Sequence, residues 1–155
     1  MGIEVIVLKQ YQNKVNQALK QLSGYSMPST EGWIKTVRKA LGMSGSQLAK
    51  RLGVTKGRVS QAESAELSGG STIKSMQNMA QAMDCRFVYA IIPKKEIDSI
   101  IRDRAILKAK EQIKAASTQM ALEAQSLNHE QLAFEVDRLA SDIIKNMPSD
   151  LWNDE

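Results

Sequence analysis

Aromatic residues are scarce in this chain of 155 residues, with two Trp, three Tyr and two Phe, and there is one cysteine and one histidine. A single cysteine excludes an internal disulfide. Cys85 lies in an apolar stretch and is expected as a buried small hydrophobe, in keeping with a reducing, cytoplasmic setting. No apolar run approaches the roughly 20 residues that span a bilayer. The opening IEVIVL is too short for a signal-peptide core, and no small-residue cleavage site follows it. His129, at an expected helix start, has no Cys or His cluster around it in sequence, so no metal site and no cofactor is expected. Glycine-rich phosphate loops and nucleophile–base pairs are missing too, and Glu135 and Asp137 are two apart and do not share a helix face. No catalytic residue is assigned, and an enzyme is the least supported class.

What is present is charge, unevenly placed. The net charge of +4 hides a local net of +5 over residues 33–66 and −6 over residues 116–155. A basic cluster of that density points to phosphate, and an acidic tail would be repelled by it and faces another partner.

The basic cluster coincides with Gly42 to Glu63, GMSGSQLAKRLGVTKGRVSQAE. Leu48, Ala49 and Leu52 form one apolar face of a short helix that Ser44 or Ser46 can cap. Gly53 ends it in the left-handed conformation, Val54 is expected as a buried hinge, and Thr55 caps a second helix from Lys56 to about Glu66. Val59 and Ala62 face inward. Lys56, Gly57, Ser60 and Gln61 are left outside on the first turns, where a helix-turn-helix reads bases. Lys35, Arg38, Ser44, Ser46, Gln47, Lys50, Arg51, Thr55 and Arg58 are the candidates for phosphate contact, with a merely solvated helix face as the alternative for Lys35, Arg38 and Lys39.

The flanking segments read as follows. Residues 3–22 alternate between strand composition and helical spacing; a helix from about 5 to 22 is expected, with its apolar stripe serving as core or dimer interface. A linker, SGYSMPSTE, offers Ser29 or Thr30 as cap for a helix over Gly32 to Leu41 that buries Trp33, Ile34, Val37 and Leu41. Thr72 caps a helix over 73–83 with Ile73, Met76, Met79, Ala80 and Met83 inward, a methionine stripe better explained as core than as metal ligands. CRFVYAIIP, residues 85–93, has the composition of a strand, to be paired either with residues 3–8 or with a second subunit, the latter giving a two-fold ribbon. Lys94 to about Ala124 reads as one long helix with Ile97, Ile100, Ile101, Arg104, Leu107, Ala109 and Ile113 along a broken stripe. Asn128 and Gln131 form a capping box for a last helix over 129–146, ended by Pro148. Trp152 is either tucked onto the core or offered to a partner. The expected organisation is an N-terminal helix and linker (1–31), a DNA-binding region ending in the strand (32–93) and a helical extension (94–155). The fold class is mainly α, a helix-turn-helix bundle with one short β-strand.

The segment QLAKRLGVTKGRVSQAE resembles the helix-turn-helix of the phage-repressor (XRE-type) family. The resemblance implies a structural role for Glu63 and base reading by the start of the second helix. The chain departs from the pattern at Gly45, usually a glutamine, and Gly57 removes one base-reading side chain. Over residues 32–125 the chain is similar to the family called mobile mystery protein A, on GWIKTVRKALGMSGSQLAKRLGVTKGRVSQAE, TIKSMQNMAQAMDCRFVYAIIPKK and STQMALEAQ, with a terminal LW at Trp152. That similarity implies a DNA-binding repressor of its own operon; the helix-turn-helix itself calls for a homodimer on a palindromic operator of double-stranded DNA. It also implies a partner, a Fic-domain toxin that this chain would neutralise as antitoxin, with no membrane involved. Inhibitors of Fic enzymes carry Ser/Thr-x-x-x-Glu-Gly/Asn. Ser126 to Gln131 reads SLNHEQ, which makes Ser126 and Glu130 the candidate toxin-inhibitory pair. The last position departs from the pattern, and the capping box at Asn128 accounts for the same residues.

Overall fold

The computed structural model describes residues 2–26, 30–121 and 128–154. Among them are seven helices: α1 (Ile3–Leu22), α2 (Gly32–Ala40), α3 (Gly45–Leu52), α4 (Lys56–Ser68), α5 (Ile73–Ala82), α6 (Ile97–Ala121) and α7 (His129–Asn146). The chain divides into two compact units. The inner stretch Gly24–Ile91 makes one, and Met1–Ser23 with Ile92–Glu155 makes the other.

In the inner unit, α2 to α5 close around Ile34, Leu48, Ala49, Val59, Met76, Met79 and Met83, with Val37, Leu52, Ala62 and Phe87 packed against them. The methionine stripe is therefore core. Local signals set the helix limits. Ser44 accepts from Gln47 N, and Gln47 in turn accepts from Ser44 N, a reciprocal cap that starts α3. Gly53 stops α3 at φ +69, and its neighbour Val54 donates back to Ala49 O. Thr55 and Thr72 cap α4 and α5 through Arg58 N and Ser75 N.

Several expectations fail at the edges of this unit. Val54 is 40% exposed rather than buried, because the left-handed turn at Gly53 carries it outward. Trp33 and Leu41 lie outside, since α2 buries only the line through Ile34 and Val37 and ends before Leu41 can extend it. Ile73, one turn ahead of Met76, overshoots the core. Among the described residues no linker side chain caps α2: Thr30 makes no such bond, and Ser29 lies outside the described residues. Glu66 on α4 does it instead, its carboxylate accepting from Trp33 N at 2.6 Å and Ile34 N at 3.0 Å. Gly32, at φ +74, permits this approach, because a Cβ there would stand 2.7 Å from Glu66 Oε2.

The expected strand at 85–92 is absent among the described residues. A strand is defined by its ladder, and no backbone group of residues 86–91 bonds to any described residue. The Phe87 and Tyr89 rings do stack, with centroids 6.0 Å apart, as alternate residues of an extended run would. Cys85 is exposed rather than buried, its thiol donating to Met83 O.

The other unit joins the two ends of the chain, so α1 is not a free-standing N-terminal segment. Asn16 on α1 accepts from Ile97 N at 2.9 Å, and so supplies a cap for α6. Asn16 and Lys9 also reach the Asp98 carboxylate. The core here is Ala105, Ala109, Ala140, Ile143 and Leu151, where alanines one turn apart let α6 and α7 approach closely. Leu107, expected inward, is 47% exposed; the buried line runs through Ile101, Ala105, Ala109 and Ile113. Arg104 holds the C-terminal turn: its guanidinium donates to Leu151 O and Asn153 O, pairs with Asp154, and lies 5.8 Å from the centre of the Trp152 ring. Trp152 is thus neither buried nor free, half its surface being open. The capping box of Asn128 and Gln131 starts α7 as expected.

Candidate nucleic-acid interface

The surface of the inner unit that concentrates exposed polar and cationic groups is the pair α3–α4. Val59 anchors α4 at 1% exposure, and Ala62 sits beside it. The remaining turn positions Lys56, Gly57, Arg58, Ser60 and Gln61 all face outward. Gly45, at the start of α3, lies where a Cβ would stand 4.0 Å from the Lys56 stem, so the N-termini of the two helices meet at one place. Around Gly57 a Cβ would meet only Thr55 Oγ1, at 3.9 Å. Packing does not demand glycine there; its effect is to leave the backbone uncovered.

The two carboxylates of α4 near this face are turned away from it. Glu66 caps α2, and Glu63 accepts from Arg38 Nε at 2.8 Å with both side chains largely buried. The charged groups left on the outer face of α4 are the cations Lys56 and Arg58. Arg38 also donates to Met43 O, which ties α2, the α2–α3 turn and α4 together.

The candidate phosphate contacts therefore separate by environment. Lys50 and Arg58 are exposed and carry no ion pair among the described residues. Ser46 is exposed, while the exposed Ser44, Gln47 and Thr55 combine outward position with capping bonds. Lys35 stands 3.9 Å from Glu31, and Lys39 pairs with the same carboxylate at 2.5 Å. The Lys39 hydrogen bond holds the Glu31 carboxyl below its ordinary range. Arg51 is turned back, donating to Ala82 O at 2.5 Å and to Asp84 at 3.2 Å. Arg38 and Arg51 thus perform internal tasks that spacing alone does not reveal. Of the toxin-directed pair, Glu130 is exposed on the first turn of α7 and Ser126 lies outside the described residues.

Residues 34–89 match the helix-turn-helix family. The match starts inside α2, takes in α3, the turn at Gly53 and all of α4 and α5, and ends on the stacked pair Phe87 and Tyr89. No curated protein and no solved structure matches the chain. Among the described residues there is no group of side chains suited to a metal ion, and no helix is long and apolar enough to cross a membrane.

Proposed function

We propose that this protein is a sequence-specific DNA-binding repressor whose α4 enters the major groove. The observation that carries the reading is the sidedness of α4: Lys56, Arg58, Ser60 and Gln61 outward, Val59 buried, and both carboxylates drawn into the unit. A lysine ammonium suits the acceptors of guanine, a glutamine amide suits adenine, and a serine hydroxyl serves either. Gly57 brings the backbone close to the groove. Lys50 and Arg58 neutralise phosphates, helped by Lys35 and by the polar groups of Ser44, Ser46, Gln47 and Thr55. Arg38 and Arg51 act indirectly, by holding α4 and α5 in place. Two copies on a palindromic operator would set their recognition helices about 34 Å apart, in successive major grooves.

The deciding experiment is binding of the purified chain to the DNA upstream of its own gene at two salt concentrations, with scrambled DNA as control. Selective binding that weakens steeply with salt supports the reading. Weak binding indifferent to sequence would make α3–α4 a scaffold.

A second reading has its own observation. The α7 surface exposes Glu130, Phe134 and Asp137 along one face, an aromatic residue between two carboxylates, with the ion-paired Arg138 and Glu135 at its edge. Such a surface fits a protein partner, and the similarity to mobile mystery protein A would make that partner a Fic-domain toxin and this chain its antitoxin and operon regulator. Replacing Glu130 by Gly and assaying the partner's nucleotide transfer tests this; unchanged inhibition removes Glu130 from the account.

A further inference from the structure

Residues 86–91, Arg-Phe-Val-Tyr-Ala-Ile, combine two properties that seldom coexist in a finished surface. Their backbone N–H and C=O groups have no partner among the described residues. Beyond Arg86 and the half-buried Phe87 their side chains are largely apolar and open to solvent, with Val88 and Tyr89 each 67% exposed and Ile91 94%. β-Branched and aromatic residues in a run with free backbone groups form a template for strand addition.

We infer that Arg86–Ile91 pairs with the same segment of a second copy of this chain, in an antiparallel two-stranded ladder about a two-fold axis. An antiparallel self-pairing is isologous, so each copy offers the other the identical row of groups. Charge selects the direction. A parallel ladder would set Arg86 against Arg86 and continue into Lys94 and Lys95 against themselves. An antiparallel one, centred on Val88 or Tyr89, places the two Arg86 side chains roughly 14–20 Å apart along the strands. The Tyr89-centred register also brings Lys94 of one copy toward the exposed turn at Asp84 of the other, whose carboxylate is shared with Arg51 of its own chain. The stacked Phe87 and Tyr89 rings then lie on one face of the ribbon, with Phe87 already seated on the core of the inner unit. An isolated two-stranded ribbon is marginal. The association is therefore concentration-dependent, and a DNA dyad reinforces it. The inference deepens the two-copy reading of the operator and rests on it for the choice of partner.

Sedimentation of the full chain without DNA, over a range of concentrations, is the test, together with Val88→Pro and Ile91→Lys. The Val88 N–H has no bond within the chain, so proline there costs the single copy no hydrogen bond, and it removes a ladder donor in the pairing that joins Val88 to Val88 through their own N–H and C=O groups. The expected result is a monomer–dimer equilibrium in the parent, made about tenfold weaker or more by Val88→Pro and weakened likewise by Ile91→Lys, with helical circular dichroism and single half-site binding unchanged. If Val88→Pro fails to fold, Ile91→Lys, at an almost fully exposed site, carries the comparison. A parent chain that stays monomeric at the highest concentration at which it is soluble overturns the inference, as does a dimer indifferent to Ile91→Lys. A parent chain that dimerises but binds a half-site no better than scrambled DNA would instead count against α4 as the reading helix.

Discussion

Gln61 and Glu63 are two residues apart on one helix and serve opposite sides of it. Gln61 faces outward, while Glu63 is locked to Arg38 inside. Replacing Gln61 by Ala is expected to cost about 1–3 kcal/mol of operator binding and to relax discrimination at one base position, read by binding to a set of single-base operator variants. Equal loss on every sequence would assign Gln61 to the phosphates. Gly32 tests the inner side. Alanine there meets both a left-handed backbone, which costs roughly 1–2 kcal/mol, and the Glu66 carboxylate at 2.7 Å. Gly32→Ala should lower the thermal midpoint, and Gly42→Ala, with an equally positive φ but open space around it, should lower it less. Of these roles, the outward position of Lys56, Ser60 and Gln61 was legible from spacing, since a helix repeats on its own. The bonds of Glu66 to α2, Arg51 to Ala82 and Arg104 to the C-terminal turn were not, because they join residues more than 30 apart that only the packed chain brings together.

At the scale of elements, caps decide where helices begin, and their effects should be separable. Thr55→Ala removes the acceptor for Arg58 N at the start of α4 and is expected to cost about 1 kcal/mol. It should weaken DNA binding as well, because the first turn of α4 carries Lys56. Asn128→Ala removes an equivalent bond at the start of α7, with a similar expected cost of about 1 kcal/mol, and should leave DNA binding untouched. Chemical denaturation and operator titration of the two variants side by side would check both statements. Capping residues and apolar spacing are local, which is why α3, α4, α5 and α7 could be placed from sequence nearly to the residue. Residues 85–92 could not, because their β-propensity states only what the segment would do if a neighbour supplied the other half of the ladder. IEVIVL shows the reverse case: β-branched residues at the start of α1 enter a helix whose later turns already repeat at helical spacing.

At the scale of the whole molecule, the inner unit is continuous in sequence and owns a complete core. The fragment Gly24–Ile91 is expected to unfold cooperatively on its own and to keep selective binding to a single half-site, with a salt dependence like that of the full chain. Calorimetry and half-site titration of the fragment check this; a fragment that melts without cooperativity would show that the helical ends are needed for its fold. The −6 charge of residues 116–155 is outside this fragment, so any repulsion it exerts on DNA should vanish with it.

The pairing of α1 with α6 has a consequence for the order of events during synthesis. α1 emerges from the ribosome before the inner unit, yet none of its residues is fully buried, and its side-chain bonds go to Ile97 and Asp98. The whole inner unit is made between them. The inner unit can therefore be finished while α1, whose Leu8, Val15, Ala18 and Leu19 are half-buried in the complete chain, is still waiting for its neighbour. A stalled or truncated nascent chain would present a folded inner unit beside an unclaimed amphipathic helix, a combination that chaperones and proteases are suited to intercept.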